Sequence, residues 1–234
     1  MIHAGRIRNQ ENDSDSERRP ETRRGSRAVP IRQSCRPYVP IWAGGVMLRQ
    51  QPPMGVPVAA SVCSMDTWDT ITSRRQVRSF TSDSIPTEEL ERILEAGRRA
   101  PSARNGQRWD FVVVTDKGQT GRLSQVWQGA GWTAGAAATI ALVMPDAEGP
   151  EALIDQFDLG QAAMQMMIAA TGFGIASGQA ACSDQALAQE VLGFPDGKQC
   201  LLLIAVGYAA DRPLKPIQKP SRRQFDEVVH FGTW

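Results

Sequence analysis

Apolar residues are distributed unevenly along this chain, and the change falls near residue 65. Residues 1–36 run through long polar and charged stretches with few large apolar side chains, and residues 38–58 are rich in Pro and Gly without a period. From Met65 onward periodic patterns begin. Leu90, Ile93, Leu94 and Gly97 recur at i, i+3, i+4 and i+7, which predicts an amphipathic helix over 87–99. Pro86 precedes it, Thr87 offers a cap, Glu88 and Glu89 suit its positive end, and Pro101 stops it. Residues 111–115, with three consecutive valines, predict a strand; 137–144, closed by Pro145, predict a second. Residues 155–172 predict a long helix. Its Leu159, Ala162, Ala163, Met166, Met167 and Ala170 spread apolar surface over more than one face, which places it centrally. Ser183 is expected to cap a short helix through Leu192 that Gly193 ends. Residues 201–207 predict a third strand, apolar enough for burial on both faces. The order helix, strand, strand, helix, helix, strand, with a long tail, is α+β: a sheet with helices packed on it. No internal repeat is present.

Composition sharpens the boundary. Of 234 residues 41% are apolar, and the deficit sits in the first 64. Those 64 carry ten arginines, no lysine and five acids, a charge of +5; the remaining 16 basic and 20 acidic residues give −4. Residues 1–64 therefore read as a disordered or mis-assigned N-terminal extension, residues 65–234 as the folded domain, and Met65 is the expected true start. A chain-wide nucleic-acid footprint is not supported. The four cysteines form no C-x-x-C pair and have two histidines to help them, which argues against zinc and suits a reducing cytoplasm. No apolar run approaches the roughly 18 residues needed to span a bilayer.

Four segments carry candidate chemistry. In Ser73-Arg74-Arg75-Gln76-Val77-Arg78-Ser79-Phe80, three arginines lie together, and on a helix end Arg74 and Arg78 would share a side. Guanidinium groups match phosphate oxygens with two-pronged hydrogen bonds; the competing reading is a solvated basic patch. Residues 100–109 join a helix to a strand with small residues, Asn105, Gln107 and Trp109. Amide side chains offer donors and acceptors that read the edge of a heteroaromatic ring; the competing reading is a polar turn with Trp109 plugging the core. Residues 172–179 hold a Gly-x-Gly run, but the last glycine is one position late and a helix precedes it, so a glycine-rich helix end is expected instead of a dinucleotide fingerprint. In the tail, Arg222 and Arg223 either join a phosphate site or face solvent, and His230 has no nucleophile motif to serve.

Taken in order, these segments resemble the nitroreductase family of flavoproteins from about Trp68 to the C-terminus, roughly 165 residues. The resemblance rests on the arginine-rich opening, Ala100-Pro101-Ser102-Ala103, the Asn105-x-Gln107-x-Trp109 turn, Asp158-x-Gly160-x-Ala162, the Gly-rich segment, and Arg222-Arg223 with Glu227-Val228-Val229. It implies a nitroreductase-like α+β fold, with a central, mostly antiparallel sheet flanked by helices, in an obligate homodimer with FMN at the interface. It implies that Arg74, Arg75 and Arg78 hold the FMN phosphate and ribityl chain, with Gln76 among them on the flavin. Asn105 and Gln107 would face the ring. The turn Gln179-Ala180-Ala181 would come from the other protomer, and Arg222 and Arg223 would return to the phosphate. Arg108 stands where the family usually has Pro, which loosens the turn and adds a charge near the ring. NADPH or NADH would deliver hydride to the flavin, and a nitroaromatic, quinone or related small acceptor would collect the electrons in a ping-pong scheme, with no protein nucleophile and no metal. Two alternatives stand beside this: a family member with another flavin chemistry, such as dehydrogenation of a biosynthetic intermediate, and a non-enzymatic FMN-binding module.

Overall fold

The computed structural model describes residues 65–234. The expectation for residues 1–64 lies outside the described residues. Five α-helices and four strands follow in the order α1 (Thr67–Ser73), α2 (Thr87–Arg98), β1 (Asp110–Val114), α3 (Lys117–Leu123), β2 (Ala138–Pro145), α4 (Gly149–Gly172), β3 (Ala176–Ala181), α5 (Gln185–Leu192) and β4 (Lys198–Gly207). The strands form one sheet ordered β1-β2-β4-β3, every neighbouring pair antiparallel. The α+β expectation, a sheet flanked by helices, is the architecture present.

Local chemistry sets the element ends. The α1 N-terminus is capped by Asp66, whose carboxylate accepts from Asp69 N–H at 2.8 Å. Helix α2 has Pro86 at its N-cap with no side-chain bond, so Thr87 lies inside the helix and does not cap it. Asp184, not Ser183, caps α5 by accepting from Leu187 N–H, while the Ser183 hydroxyl donates to the Val126 carbonyl. Gly193 ends α5 in the left-handed conformation, as expected. Helix α4 begins six residues before the predicted Asp155, because Pro150 sits in its first turn, where a missing N–H costs nothing.

The largest correction concerns residues 176–181. They form an edge strand and not a helix end or a turn. Ser, Gly, Gln and Ala have weak strand preference, so the pattern hides the strand. Gly178 has a reason to be small: a Cβ there would lie 2.2 Å from the Val77 carbonyl and 2.8 Å from the Trp132 ring.

Helix α4 is the spine of the core. Leu159, Ala162, Met166, Met167 and Ala170 are buried, packed with Ile93 of α2 and with Ile140, Leu142 and Ile204 of the sheet. Trp109 joins this cluster, as its plug reading expected. The opposite face of the sheet holds a second cluster with Leu123, Val126, Val191, Cys200 and Leu203.

Candidate active site

The arginine segment leaves α1 and runs extended. Arg74 is the C-cap in β conformation, Gln76 bridges Ser177 in parallel, and Phe80 bridges Ala209 antiparallel. Arg74 and Arg78 therefore do share a side, but through the two-residue period of extended chain and not through a helix. The same alternation separates Arg75. Its guanidinium makes a two-pronged pair with Asp211 at 2.7 and 3.0 Å and donates to the Arg212 carbonyl at 2.7 Å. That pairing holds the Asp211 carboxyl down at about 2.

Arg74 is in the opposite condition. Its Nη2 donates only to the Met167 sulfur at 3.0 Å, a weak acceptor, and its Nε, like that of Arg75, is buried with no partner. Burial first, and then the charge of Arg222, lower its pKa from the ordinary arginine value. Among the described residues no carboxylate pairs with Arg74, Arg78 or Arg222. A buried charged donor without a partner costs upwards of about 1–3 kcal/mol, and two neighbouring cations add repulsion. This corner asks for an anion. Arg78 lies over the Trp132 ring at 5.9 Å, beside Gly178 and Phe80. Arg223 instead pairs with Glu227 within its own stretch of tail.

Gln76 has both ends of its amide engaged by one residue. Its Nε2 donates to the Gln179 carbonyl at 2.7 Å, and its Oε1 accepts from Gln179 N–H at 3.1 Å. The arginine segment and β3 of the same chain are thereby joined. Within one chain Gln179 sits beside Gln76, with Ala180 buried behind it, whereas the resemblance implied that Gln179-Ala180-Ala181 comes from the other protomer.

The turn at 101–109 is elsewhere. Arg104, Asn105 and Gln107 all have positive φ, at 52°, 56° and 49°. Gln107 Nε2 donates to the Asn105 carbonyl, and Gln107 N–H to the Ser102 hydroxyl. Asp158 of α4 accepts from Ala103 N–H at 2.8 Å. Arg74 meets α4 at Met167, nine residues further on, about 13.5 Å along the axis and half a turn out of phase. No hydrogen bond, ion pair or ring contact between described residues joins 73–80 to 101–109. One chain thus gathers Arg74, Gln76, Arg78, Gln179 and Arg222, and carries Asn105 and Gln107 at a separate place.

Beside that turn an open depression of ≈ 360 Å³ is walled by Pro101, Ala103, Leu153, Ile154 and Phe157. Of the buried acids under it, Asp158 entered the sequence reading only as part of the family resemblance and Asp155 was not singled out, although two acids three apart on an apolar helix face were a readable signal. Arg108 reaches α4, pairing with Asp155 at 3.5 Å and Glu151 at 3.4 Å. Among the described residues no group of three or more His, Cys, Asp or Glu could hold a metal ion, and no helix is long and apolar enough to cross a membrane. His230 lies against Trp234 in the exposed tail, ring centroids 4.5 Å apart and tilted by 32°.

A family model described as the nitroreductase family matches residues 71–129 and 119–208. This chain belongs to the nitroreductase family. It is 26% identical to the FMN reductase (NAD(P)H) of Bacillus subtilis, over 70% of this chain and 72% of that protein. It is 27% identical to an iodotyrosine deiodinase of Haliscomenobacter hydrossis, over 61% of this chain and 79% of that one. Among solved structures, the NADPH:FMN oxidoreductase of Vibrio harveyi complexed with NAD+ superposes with a TM-score of 0.63 at 26% identity, covering 72% of this chain and 77% of the other.

Proposed function

We propose that this nitroreductase-family chain is an FMN-dependent NAD(P)H oxidoreductase that acts as a homodimer, each FMN lying between two copies. The observation that carries the reading is Arg74, half-buried with its Nε unbonded, without an acidic partner and close to Arg222. A phosphate monoester bears nearly two negative charges and supplies what this pair lacks. Arg74 and Arg222 hold it, and Arg78 closes the outer side from above Trp132. Arg75 and Arg223, committed to Asp211 and Glu227, support the segments that carry the ligands instead of binding it. Gln76 keeps Gln179 against the arginines, so that the backbone of β3 borders the flavin. When bound, FMN supplies a ring that accepts hydride from NADPH or NADH and passes electrons to a nitroaromatic, quinone or related acceptor. The chain binds, orients and shields; it needs no nucleophile of its own.

The separation of the arginine corner from the Asn105–Gln107 turn supports a second copy, with the turn of one chain serving the ring held by the other. The surface between agrees. On α4, Leu153, Phe157, Gly160 and Met164 form a stripe at i, i+4, i+7 and i+11, with Leu153 and Phe157 each 69% exposed. On α1, Trp68 stands 71% exposed. An apolar stripe of this kind on a helix marks an association surface.

The likeness to an iodotyrosine deiodinase favours a second reading, in which the same FMN site serves another reductive chemistry. Both readings are tested first by flavin uptake. The wild-type chain is expected to bind FMN and to show flavin absorbance; Arg74→Ala and Arg222→Ala each weaken binding by about 1.5–3 kcal/mol, roughly tenfold to 150-fold. Unchanged affinity in both variants overturns the phosphate assignment. Steady-state turnover with NADPH and a quinone is expected to give the parallel double-reciprocal lines of a ping-pong order, and intersecting lines overturn that order.

A further inference from the structure

The turn that would read the flavin ring is strained and gripped from below. Arg104, Asn105 and Gln107 adopt φ of 52°, 56° and 49°, a left-handed conformation that costs non-glycine residues on the order of 1–2 kcal/mol each. Such a run persists only where surrounding contacts over-determine it. Helix α4 supplies those contacts from one face. Asp158, 7% exposed, accepts Ala103 N–H with one carboxylate oxygen at 2.8 Å, and Gln161 Nε2 with the other at 3.3 Å. Gln161 Nε2 also reaches the Pro101 carbonyl at 3.5 Å. One turn earlier Asp155 is 5% exposed, and its Oδ2 has no hydrogen-bond partner among the described residues; its compensating charge is Arg108 Nη2 at 3.5 Å. Arg108 Nη1 adds Glu151 at 3.4 Å. The strained residues are thus anchored on both sides, by Asp158 before them and by Arg108 after them.

We infer that Asp158 and the Arg108–Asp155 pair are positioning residues: a two-point clasp that holds Asn105 and Gln107 in a ring-reading conformation and keeps the Arg108 charge on α4 and off the ring. This rests on the proposed FMN site, because without a ring the clasp has nothing to position. It also assigns Arg108 a task. A guanidinium that reaches back to buried carboxylates restrains the turn from outside, where the local backbone has no ring constraint to do so.

The test separates the clasp from the cofactor reading. Backbone hydrogen exchange of residues 102–108 is measured in the full chain without FMN, in wild type, Asp158→Ala, Asp158→Asn and Arg108→Gln. Exchange at Ala103 is expected to rise at least about tenfold in D158A, as one charge-assisted hydrogen bond is lost. It returns towards wild type in D158N, which keeps an acceptor oxygen. R108Q, altered at a half-exposed site that leaves the core intact, is expected to raise exchange at 107–108. FMN titration and the reduction potential of the bound flavin are then read on the same variants. Weaker binding with a shifted potential in D158A and R108Q, restored for position 158 in D158N, supports the inference. Unchanged exchange in both D158A and R108Q overturns the clasp. Raised exchange with unchanged affinity and potential overturns its positioning role. A wild-type chain that takes up no FMN overturns the proposed function and the ring-positioning role with it, while the exchange data still decide whether the turn is clasped.

Discussion

Two neighbouring arginines, alike in sequence, end in opposite electrostatic states. The terminal nitrogens of Arg75 are taken up by Asp211 and the Arg212 carbonyl, although its Nε stays unbonded; Arg74 faces a thioether and another cation. The cause is elementary: extended backbone sends alternate side chains to opposite sides, so adjacency in sequence becomes separation in space. The Asp211 carboxyl, held at about 2 by Arg75, gives a direct check. A depressed carboxylate contributes its stabilisation fully above its unfolded value, ordinarily about 3.9, and loses it as pH falls through the folded value. The link between the arginine segment and the start of the tail should therefore weaken between about pH 4 and pH 2. Carbon-detected NMR titration is expected to place the Asp211 midpoint near 2 in wild type and higher in Arg75→Ala, where the backbone hydrogen bond from Arg212 remains. A midpoint that does not move in the variant refutes the pairing. The sequence reading took these arginines together, as phosphate ligands or a solvated patch, and did not divide them, because Asp211 lies far along the chain and carries no local signal of its partner.

Elements were legible in proportion to their apolar contrast. Helix α2, the long helix α4 and strands β1, β2 and β4 follow from periodicity, since each buries a face or is buried throughout. Those that went unread lack that contrast. Helix α3 holds Gly118 and Gly121 in seven residues and is set by the Asp116 cap, and β3 is built of small residues because the Val77 carbonyl and the Trp132 ring approach it closely. In the candidate site, the residue types were legible and their partnership was not: that Gln179 adjoins Gln76 is a fact of β3 pairing, which no spacing reveals. The side-chain amide of Gln76 does for β3 what a further strand would do, satisfying one N–H and one carbonyl on an open edge. Gln76→Ala is expected to remove two bonds worth about 0.5–1.5 kcal/mol each. Hydrogen exchange at Gln179 should rise and FMN affinity fall, while β4 exchange stays unchanged. Protection at Gln179 that survives the substitution would show that β3 is held in place some other way.

At the scale of the whole molecule, α4 serves two surfaces at once, core on one side and the Leu153–Phe157–Met164 stripe on the other. If the stripe joins two copies, Leu153→Glu with Phe157→Glu is expected to give a monomer by light scattering and to lose FMN affinity although Arg74 and Arg222 are untouched. A dimer that survives both changes overturns the proposed interface. The sheet order has a consequence of another kind, concerning the making of the chain. Strand β2 pairs with β4, from Ala138 against Val206 to Pro145 against Lys198, so one of the two inner strands of the sheet is also its last to be synthesised. The β1–β2 pair and α4 are complete well before it, and β2 must wait with one edge unpaired until residues 198–207 emerge. The long closure between Ile140 and Ile204 makes this the slow, entropically costly join. A nascent chain stopped before residue 198 lacks the strand that closes its sheet, and its open β2 edge is the place where aggregation competes with folding.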